Sequence, residues 1–407
     1  MSIRREHIRF FFVLLPFILA YTGEAIQNLN KPLSSMLKLG AVVYMFIYIF
    51  FHKNHPWLWI FSSLLIMILG YFTVISPMKK AAWESFIRYL FPIAALMYGY
   101  AIRGYARWLI NTFIYFVIIN DLWQIINYIN WIRGVDQWFY FHTPEGIPFY
   151  NITLGIIRAT GLVTFFALFG FINAVAWFLI LYYYDGKYKK LFLGITLVSI
   201  LASLSYKTIG VFLFLLFLLS KQKVKILAFL LIGMIIGTMM FPEKATQVVY
   251  NLRLRIHLYI TEGNSVRSES YRTMIKETRL WKGYGTGTFG GPASIKYKSP
   301  LYDKFHFKWY GMQWLATTDT YYPHLFVELG WLTAFLYLFY MILPLLNRLP
   351  LSRQKAVYAI YFLLFTDAFF SFSLNHLPYL LASLSLIFPV LSLERKKIES
   401  LAHEEKK

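Results

Sequence analysis

The sequence of 407 residues contains no cysteine, so the chain has no disulfide, no thiolate nucleophile and no cysteine metal cluster. Only 14% of its residues are charged, against about a quarter in a soluble domain. It also has no Asp-x-Asp pair, no His-Glu metal spacing and no serine nucleophile motif. We therefore expect no cofactor and no metal, and any transfer chemistry would depend on basic side chains.

What the sequence has in abundance is apolar residues, which make up 58% of the chain. Runs without a single charge cover residues 56–78, 161–184 and 329–347. Each is close to or above the roughly 20 residues that a helix needs to cross a hydrocarbon core. Because no soluble fold has an interior for so many such segments, the predicted fold class is an all-α polytopic membrane protein.

The apolar segments predict about twelve transmembrane helices. They cover residues 8–26, 37–52, 57–76, 84–102, 108–130, 156–183, 190–205, 208–220, 225–241, 323–344, 356–374 and 377–394. Three regions follow: helices 1–9 in residues 1–241, a large outer loop with short helices at 242–322, and helices 10–12 with a cytoplasmic tail at 323–407.

The basic residues predict the orientation, because cytoplasmic loops of membrane proteins are rich in lysine and arginine. Alternate short loops hold Lys53, Arg103, Arg107, Lys187, Lys189, Lys190, Lys221, Lys223, Lys225, Arg348, Arg353, Arg395, Lys396 and Lys397. These loops and both termini are predicted to be cytoplasmic, although Lys31, Lys79 and Lys80 then lie outside. The basic N-terminus resembles a signal sequence, but we expect it to be retained as the first helix. The net charge of +21 then reflects membrane retention and anionic lipid rather than nucleic acid.

Two longer segments, 131–155 and 242–322, are predicted on the outer side. The larger one contains twelve Lys or Arg residues and six Asp or Glu residues. Cytoplasmic retention cannot explain an excess of basic residues on the outer side. An anionic ligand at the outer membrane surface is the expected reason.

Within this loop, residues 265–281 are predicted to form a helix. Asn264 or Ser265 can cap its start, and Gly283 follows its end.

Three cations, Arg272, Lys276 and Arg279, would share one face of that helix, four and three residues apart. They repel one another unless an anion lies against them. A solvated face balanced by Glu269 and Glu277 is an equal alternative for Lys276 and Arg279.

A glycine-rich run follows, from Gly283 through Gly285 to Gly291. It is not a dinucleotide fingerprint, because a helix precedes it rather than a strand. Either it is a flexible turn, or it lets the backbone approach a phosphate or sugar closely.

The loop ends in a polar stretch, residues 317–322, after which Pro323 suits the first turn of the next helix. His324 would then lie at the outer mouth of that helix, where the helix dipole disfavours imidazolium and leaves a base-competent ring. Glu328, one turn further in, could hold that ring.

Two further cations are predicted at outer helix ends. Arg158 would open the sixth transmembrane helix, and Lys207 lies between the seventh and eighth. Their charged ends could simply reach the membrane surface, but cations at such positions are also functional candidates.

Together these features resemble the bacterial O-antigen polymerase and O-antigen ligase superfamily, whose members are polytopic enzymes of the glycosyltransferase C type. The similarity lies in Arg158-Ala159-Thr160-Gly161, in the pair Arg272 and Gly283 beside Trp281, and in the segment 319–330. The number of spans and the position of the large loop are similar too.

The resemblance implies a donor glycan on undecaprenyl diphosphate and a sugar hydroxyl acceptor on a second carrier. The catalytic residues would be His324 as base, Arg272 and Glu328. Residues expected to bind substrate or diphosphate are Arg158, Lys207, Arg279, Lys276, Arg267, Asp319, Gly283 and Gly285. Positive charge would stabilise the diphosphate as it leaves.

The expected function is therefore a polysaccharide polymerase that works without a metal on the outer face of a bacterial cytoplasmic membrane. Its partners would be the lipid-linked glycans, membrane lipid and a chain-length regulator. An O-antigen ligase is the nearest alternative, since its reaction centre would be the same. A lipid-linked oligosaccharide flippase is less favoured because no internal repeat is evident, and a non-catalytic scaffold leaves the outer arginines without a use.

Overall fold

A computed structural model describes residues 2–52, 55–135, 152–346, 349–350 and 353–404. The chain is mostly helical, and seven of the described helical stretches are long and apolar enough to cross a membrane. They are Arg5–Ala25, Lys31–Phe51, Pro56–Ile75, Arg103–Ile132, Phe166–Tyr183, Tyr321–Leu346 and Leu377–Ser400. The chain thus has the all-α architecture of a membrane protein, while the count of about twelve spans and the glycosyltransferase C-like fold stay predictions.

The first five helices are α1 (Ser2–Ala25), α2 (Lys31–Phe51), α3 (Pro56–Ile75), α4 (Lys79–Ala101) and α5 (Ala106–Ile132). Proline lies in the first turn of both α2 and α3, where its missing N–H costs nothing. Asn30 caps α2 by accepting from the N–H of Leu33 at 3.0 Å. These helices cover the first five predicted spans; Lys53, Arg348 and residues 136–151 lie outside the described residues.

The next elements are the strands β1 (Ile152–Thr153) and β2 (Ile156–Ile157), then α6 (Phe166–Tyr183), α7 (Lys189–Ala202), α8 (Tyr206–Leu219) and α9 (Lys223–Met240). The strands pair antiparallel, Ile152 opposite Ile157, around a turn in which Leu154 and Gly155 both have positive φ. The predicted sixth span at 156–183 is therefore wrong at its start. Helix α6 begins only at Phe166, after an irregular buried segment.

Helices α7 and α8 have 14 residues each and run without a break. At 1.5 Å per residue each is about 21 Å long, shorter than a hydrocarbon core of about 30 Å. They are joined by the turn Ser203–Ser205. The spans predicted at 190–205 and 208–220 coincide with these two short helices.

The predicted outer loop contains α10 (Pro242–Ile256), a π-helical turn at His257–Thr261, α11 (Val266–Glu277), α12 (Pro292–Lys296) and α13 (Leu301–Lys304). The loop does contain short helices, as expected. The last elements are α14 (Tyr321–Ile342), α15 (Lys355–Phe370), α16 (Leu377–Leu381) and α17 (Leu384–Glu404).

The second half of the loop is bound to the helical bundle. Phe289 is fully buried and contacts the rings of Tyr302 and Phe307. The hydroxyl of Thr286 donates to that of Thr73 in α3 at 3.0 Å. This part of the loop therefore has a buried apolar centre and a hydrogen bond to α3, and its division as a separate subdomain stays a prediction.

Helix α14 is interrupted at Gly330, whose φ of +78° and ψ of 164° are not helical. The carbonyl groups just before the break need donors from elsewhere. The N–H of Tyr284 donates to the carbonyl of Val327 at 3.1 Å, and that of Gly285 donates to the carbonyl of Glu328 at 3.0 Å.

The N–H groups beyond the same break are satisfied by the same loop segment. Trp331 donates to the carbonyl of Arg279 at 3.1 Å, and Leu332 donates to that of Leu280 at 3.0 Å. Residues 279–285 thus take over the hydrogen bonds that α14 loses, which fixes the large loop to the membrane helix.

We expect Gly283→Ala to disrupt this junction, because a Cβ atom on Gly283 would overlap the carbonyl group of Glu328. Overpacking costs about 1–3 kcal/mol, and the upper end is expected against rigid backbone. The midpoint of thermal unfolding of the purified protein should fall clearly. Gly210→Ala in α8 is the control, since its Cβ would meet nothing within 4 Å. An unchanged midpoint for the Gly283 variant would contradict this junction.

Candidate functional site

Arg158 lies in the irregular segment before α6 and is almost fully buried, with 8% of its surface exposed. Its Nε donates to the carbonyl of Ser203 at 3.1 Å, and its Nη2 donates to that of Leu204 at 2.7 Å. The guanidinium group stacks on the ring of Phe166. Arg158 therefore neutralises the carbonyl end of α7 and stabilises the turn into α8. The prediction that it opens a transmembrane helix is wrong, because the helix begins eight residues later.

The backbone that follows Arg158 is held by amide side chains of α5. Oε1 of Gln124 accepts from the N–H of Thr160 at 2.9 Å and from that of Gly161 at 2.8 Å. Oδ1 of Asn120 accepts from the N–H of Leu162 at 2.7 Å. Irregular backbone at membrane depth is stable only with such internal partners. This polar face of α5 explains why helix α6 starts late.

Lys207, in the first turn of α8, forms an ion pair with Asp367 of α15. Nζ and Oδ1 are 2.8 Å apart, and the carboxylate side chain is only 5% exposed. The hydroxyl of Ser371 also donates to this carboxylate. Lys207 is therefore a paired cation beside the turn that Arg158 closes.

A second buried carboxylate, Glu24, lies near the end of α1. Nζ of Lys38 is 2.6 Å from its Oε2, and Nε2 of His376 is 3.3 Å from the same atom. Glu24 is 1% exposed. The carboxylate of Glu24 in α1 is thus contacted by one side chain from α2 and by one from the segment before α16.

His324 lies in the first turn of α14 and is buried, 1% exposed. Its Nδ1 is 2.7 Å from the carbonyl oxygen of Phe289. A carbonyl can only accept, so Nδ1 carries the proton and Nε2 accepts from the amide of Asn375 at 3.2 Å. The ring also stacks parallel on Tyr89.

Glu328 lies one turn after His324 and is fully buried. Its Oε1 is 3.3 Å from Nδ1 of His324 and accepts from the N–H of Phe289 at 3.0 Å. Its Oε2 accepts from the hydroxyl of Tyr89 at 3.0 Å. The predicted pairing of Glu328 with His324 therefore exists in the structure, although neither side chain reaches the surface.

Helix α11 differs from its predicted extent at its C-terminal end. Ser265 caps it, as one of the two predicted residues, and accepts from the N–H of Ser268. The helix ends at Glu277, however, and Thr278 is extended. Arg279 therefore does not share a helical face with Arg272 and Lys276, because residues 279–285 are required by the break in α14.

The cations of α11 have different surroundings. Arg267 forms a charged pair with Asp319, whose Oδ2 is 3.0 Å from Nε. Arg272 donates from Nη2 to the carbonyl of Glu262 at 3.1 Å and is half exposed, at 53%. Lys276 points into solvent, with 79% of its side chain exposed.

Arg267 and Arg272 line one groove of about 380 Å³ between α11 and the end of α15. Tyr271 donates to the carbonyl of Phe369 at 2.9 Å, and their rings stack. Burial raises the pKa of the Tyr271 phenol, so it stays a neutral donor. The groove therefore combines two arginines with aromatic surface, which suits an anionic group linked to a sugar.

The buried charges and the groove belong to one region. Phe369, which lines the groove, follows Asp367 by two residues on α15, so the groove lies close to the ion pair of Lys207 and Asp367. Asp319 holds Arg267, which lines the groove. Arg267, Arg272, Asp319 and Lys207 therefore belong to one part of the structure.

The glycines have a packing role in this structure. Gly283 lies against the backbone of Glu328, and Gly285 lies against Ser76, the residue that follows α3. Their predicted contact with a diphosphate stays a prediction.

Sequence reasoning did not select Glu24, Asp367 or Asn375. Glu24 and Asp367 lie inside two predicted membrane spans, and an ionisable residue in such a segment is by itself an indication of function. Asn375 is not ionisable, so its position in the sequence gives no such indication of function. Among the described residues, no group of three or more His, Asp or Glu side chains could hold a metal ion.

No family model matches the sequence, and no curated protein is significantly similar to it.

Substitutions at Lys207 and Asp367 test whether these two charges stabilise each other. We expect Lys207→Met or Asp367→Asn alone to lower the free energy of unfolding by about 3–5 kcal/mol, because each leaves a buried charge unpaired. The double variant should lose much less than the sum, measured by denaturation of the purified protein.

The exposed pair of Arg107 and Asp185, 3.5 Å apart, is the matched control. Arg107→Met and Asp185→Asn should each change the free energy of unfolding by less than about 1 kcal/mol. Additive losses at Lys207 and Asp367 would show that their charges do not interact.

Proposed function

We propose that this protein is a metal-independent glycosyltransferase that polymerises a polysaccharide from lipid-diphosphate-linked repeat units. The observation that carries the proposal is the groove where Arg267 and Arg272 meet aromatic surface, close to the buried ion pair of Lys207 and Asp367. Two arginines can bind a diphosphate, and the rings of Tyr271 and Phe369 can contact a sugar. A membrane-spanning chain suits a substrate on a polyprenyl carrier.

The donor would be a glycan on undecaprenyl diphosphate, and the acceptor a sugar hydroxyl on a second carrier. The acceptor oxygen attacks the anomeric carbon, and the bond from that carbon to the diphosphate oxygen breaks. Arg272 and Arg267 stabilise the negative charge that develops on the leaving diphosphate. No general acid is required, since diphosphate leaves as an anion.

The proton of the acceptor hydroxyl goes to Nε2 of His324, which has the lone pair in the neutral ring. The hydroxyl takes the place of the Asn375 amide at that nitrogen. Glu328, whose Oε1 lies 3.3 Å from Nδ1, stabilises the imidazolium that forms. Such a base, oriented by a carboxylate, is the arrangement that general-base catalysis requires.

Arg158 and Lys207 stabilise the backbone and the carboxylate next to the groove. Arg158 holds the turn between α7 and α8, and Lys207 neutralises Asp367. Their role in the proposal is to position the site rather than to contact the diphosphate. The enzyme would act on the outer face of a bacterial cytoplasmic membrane, with both termini in the cytoplasm.

The arginine assignment is tested by complementing a deletion strain with Arg272→Ala. We expect loss of the long polysaccharide ladder on gels while single repeat units are still exported. In purified protein, polymerisation should fall about 100-fold, because the leaving group loses a charged donor. Lys276→Ala, on the next turn of α11 but outside the groove, should keep the ladder.

The same gel separates the alternatives. Full-length polymer stranded on its lipid carrier in the deletion strain would indicate a ligase. A ladder that the Arg272 variant leaves unchanged, with the protein present in the membrane, would remove Arg272 from the mechanism.

The base is tested with His324→Gln, which can still donate to the carbonyl of Phe289. We expect the turnover of glycan to fall by about 100-fold or more, while the affinity for the lipid-diphosphate donor stays within a factor of about three. Turnover at the wild-type rate in the purified variant would exclude His324 as base.

A further inference from the structure

The segment between α15 and α17 contains an unusual set of polar side chains. The atoms Ser373 Oγ, Asn375 Oδ1, His376 Nδ1 and Tyr379 Oη are buried and have no hydrogen-bond partner among the described residues. Ser373, Asn375 and Tyr379 are at most 3% exposed. All four lie within seven consecutive residues. Leaving a buried polar atom without a partner costs about 1–3 kcal/mol, so four together require a reason.

Two of these side chains are held in place by their other contacts. Nε2 of His376 lies against Glu24. The ring of Tyr379 packs on Phe171. Each therefore presents a fixed polar atom, which is the property of a preorganised binding site.

The chemistry of the four atoms favours an uncharged polyhydroxyl ligand. Asn375 Oδ1 and, in the neutral ring, His376 Nδ1 accept hydrogen bonds, while Ser373 and Tyr379 can donate or accept. An anion gains little here, because the nearby basic side chains Lys38 and Lys207 are already paired with buried carboxylates.

A cation gains little here, since basic side chains already neutralise these carboxylates: Lys38 pairs with Glu24, Arg267 with Asp319 and Lys207 with Asp367.

The region reaches the surface at one side. The side chain of His376 is 31% exposed and that of Asp319 is 42% exposed. Asp319 also holds Arg267 of the groove. The partly exposed His376 is therefore the side from which a ligand would enter, and Asn375 connects this segment to His324.

We propose that Ser373, Asn375, His376 and Tyr379 form the subsite that binds the sugar ring of the acceptor. The inference rests on the proposed function for the identity of the ligand. Asn375 connects the subsite to His324, so a sugar bound there has its hydroxyl groups beside Nε2. The donor diphosphate occupies the groove of Arg267 and Arg272, and the acceptor sugar occupies this neighbouring subsite.

The test compares two tyrosines that each lose only a hydroxyl group. Tyr379→Phe removes an atom without a protein partner, so the unfolding midpoint should stay the same or rise. Tyr361→Phe removes a hydroxyl that donates to the carbonyl of Met341 at 2.6 Å, so the midpoint should fall. Ser373→Ala serves as a second variant within the subsite.

The probe is the repeat-unit oligosaccharide released from the host's own lipid-linked glycan. Its binding to purified protein is measured by the rise in unfolding midpoint, and elongation of lipid-linked repeat units is measured in parallel. We expect Tyr379→Phe and Ser373→Ala each to weaken binding and raise the acceptor KM by about fivefold to tenfold. Tyr361→Phe should bind the sugar as the wild type does.

The two readouts separate the two proposals. If the wild type elongates glycan but Tyr379→Phe and Ser373→Ala bind the sugar as tightly as the wild type does, the subsite is overturned and the polymerase is kept. The four polar atoms would then be hydrogen-bonded to water. Sugar binding that both variants weaken, without elongation by the wild type, would keep the subsite and overturn the polymerase. If the wild type neither binds the sugar nor elongates the glycan, both proposals are overturned.

Discussion

The structure depends on one constraint: every backbone hydrogen-bonding group inside an apolar helical bundle needs a partner from the protein. Three interruptions among the described helices are each met by a specific partner. Residues 279–285 complete the broken helix at Gly330. The amides of α5 hold the segment after Arg158, and Arg158 itself satisfies the end of α7. Arg158, Lys207 and Glu328 lie at or next to these interruptions, where the fold brings polar groups together.

The same constraint explains why the buried charges occur in pairs. Glu24 and Asp367 each lie against a basic side chain, since an unpaired buried charge is costly. Pairing leaves the region close to neutral and rigid. Arg272, which is half exposed beside the groove, is the cation best placed to meet a ligand. The paired charges hold the fold, whereas the half-exposed Arg272 can face a substrate. The proposed enzyme needs such an arginine to stabilise the leaving diphosphate.

His324 links the two halves of the proposed site. It connects the loop, through the carbonyl of Phe289, with the segment before α16, through Asn375. Its burial gives it a structural role as well as the proposed chemical one. The two roles are compatible if the acceptor hydroxyl replaces the amide of Asn375 at Nε2, because the ring then keeps its contacts with Phe289 and Glu328.

The sequence by itself determined the features that depend on local pattern. Charge-free runs predicted the helical membrane protein, Ser265 was one of two predicted caps of α11, and the spacing of His324 and Glu328 predicted their contact. The tertiary structure alone decided where helices stop and which distant residues pair. The late start of α6, the early end of α11 and the contact of Glu24 with His376 all require partners far away in the chain. Hydrophobic periodicity reports the burial of a segment, but a hydrogen bond or ion pair is set by the packing of elements that the local sequence does not contain.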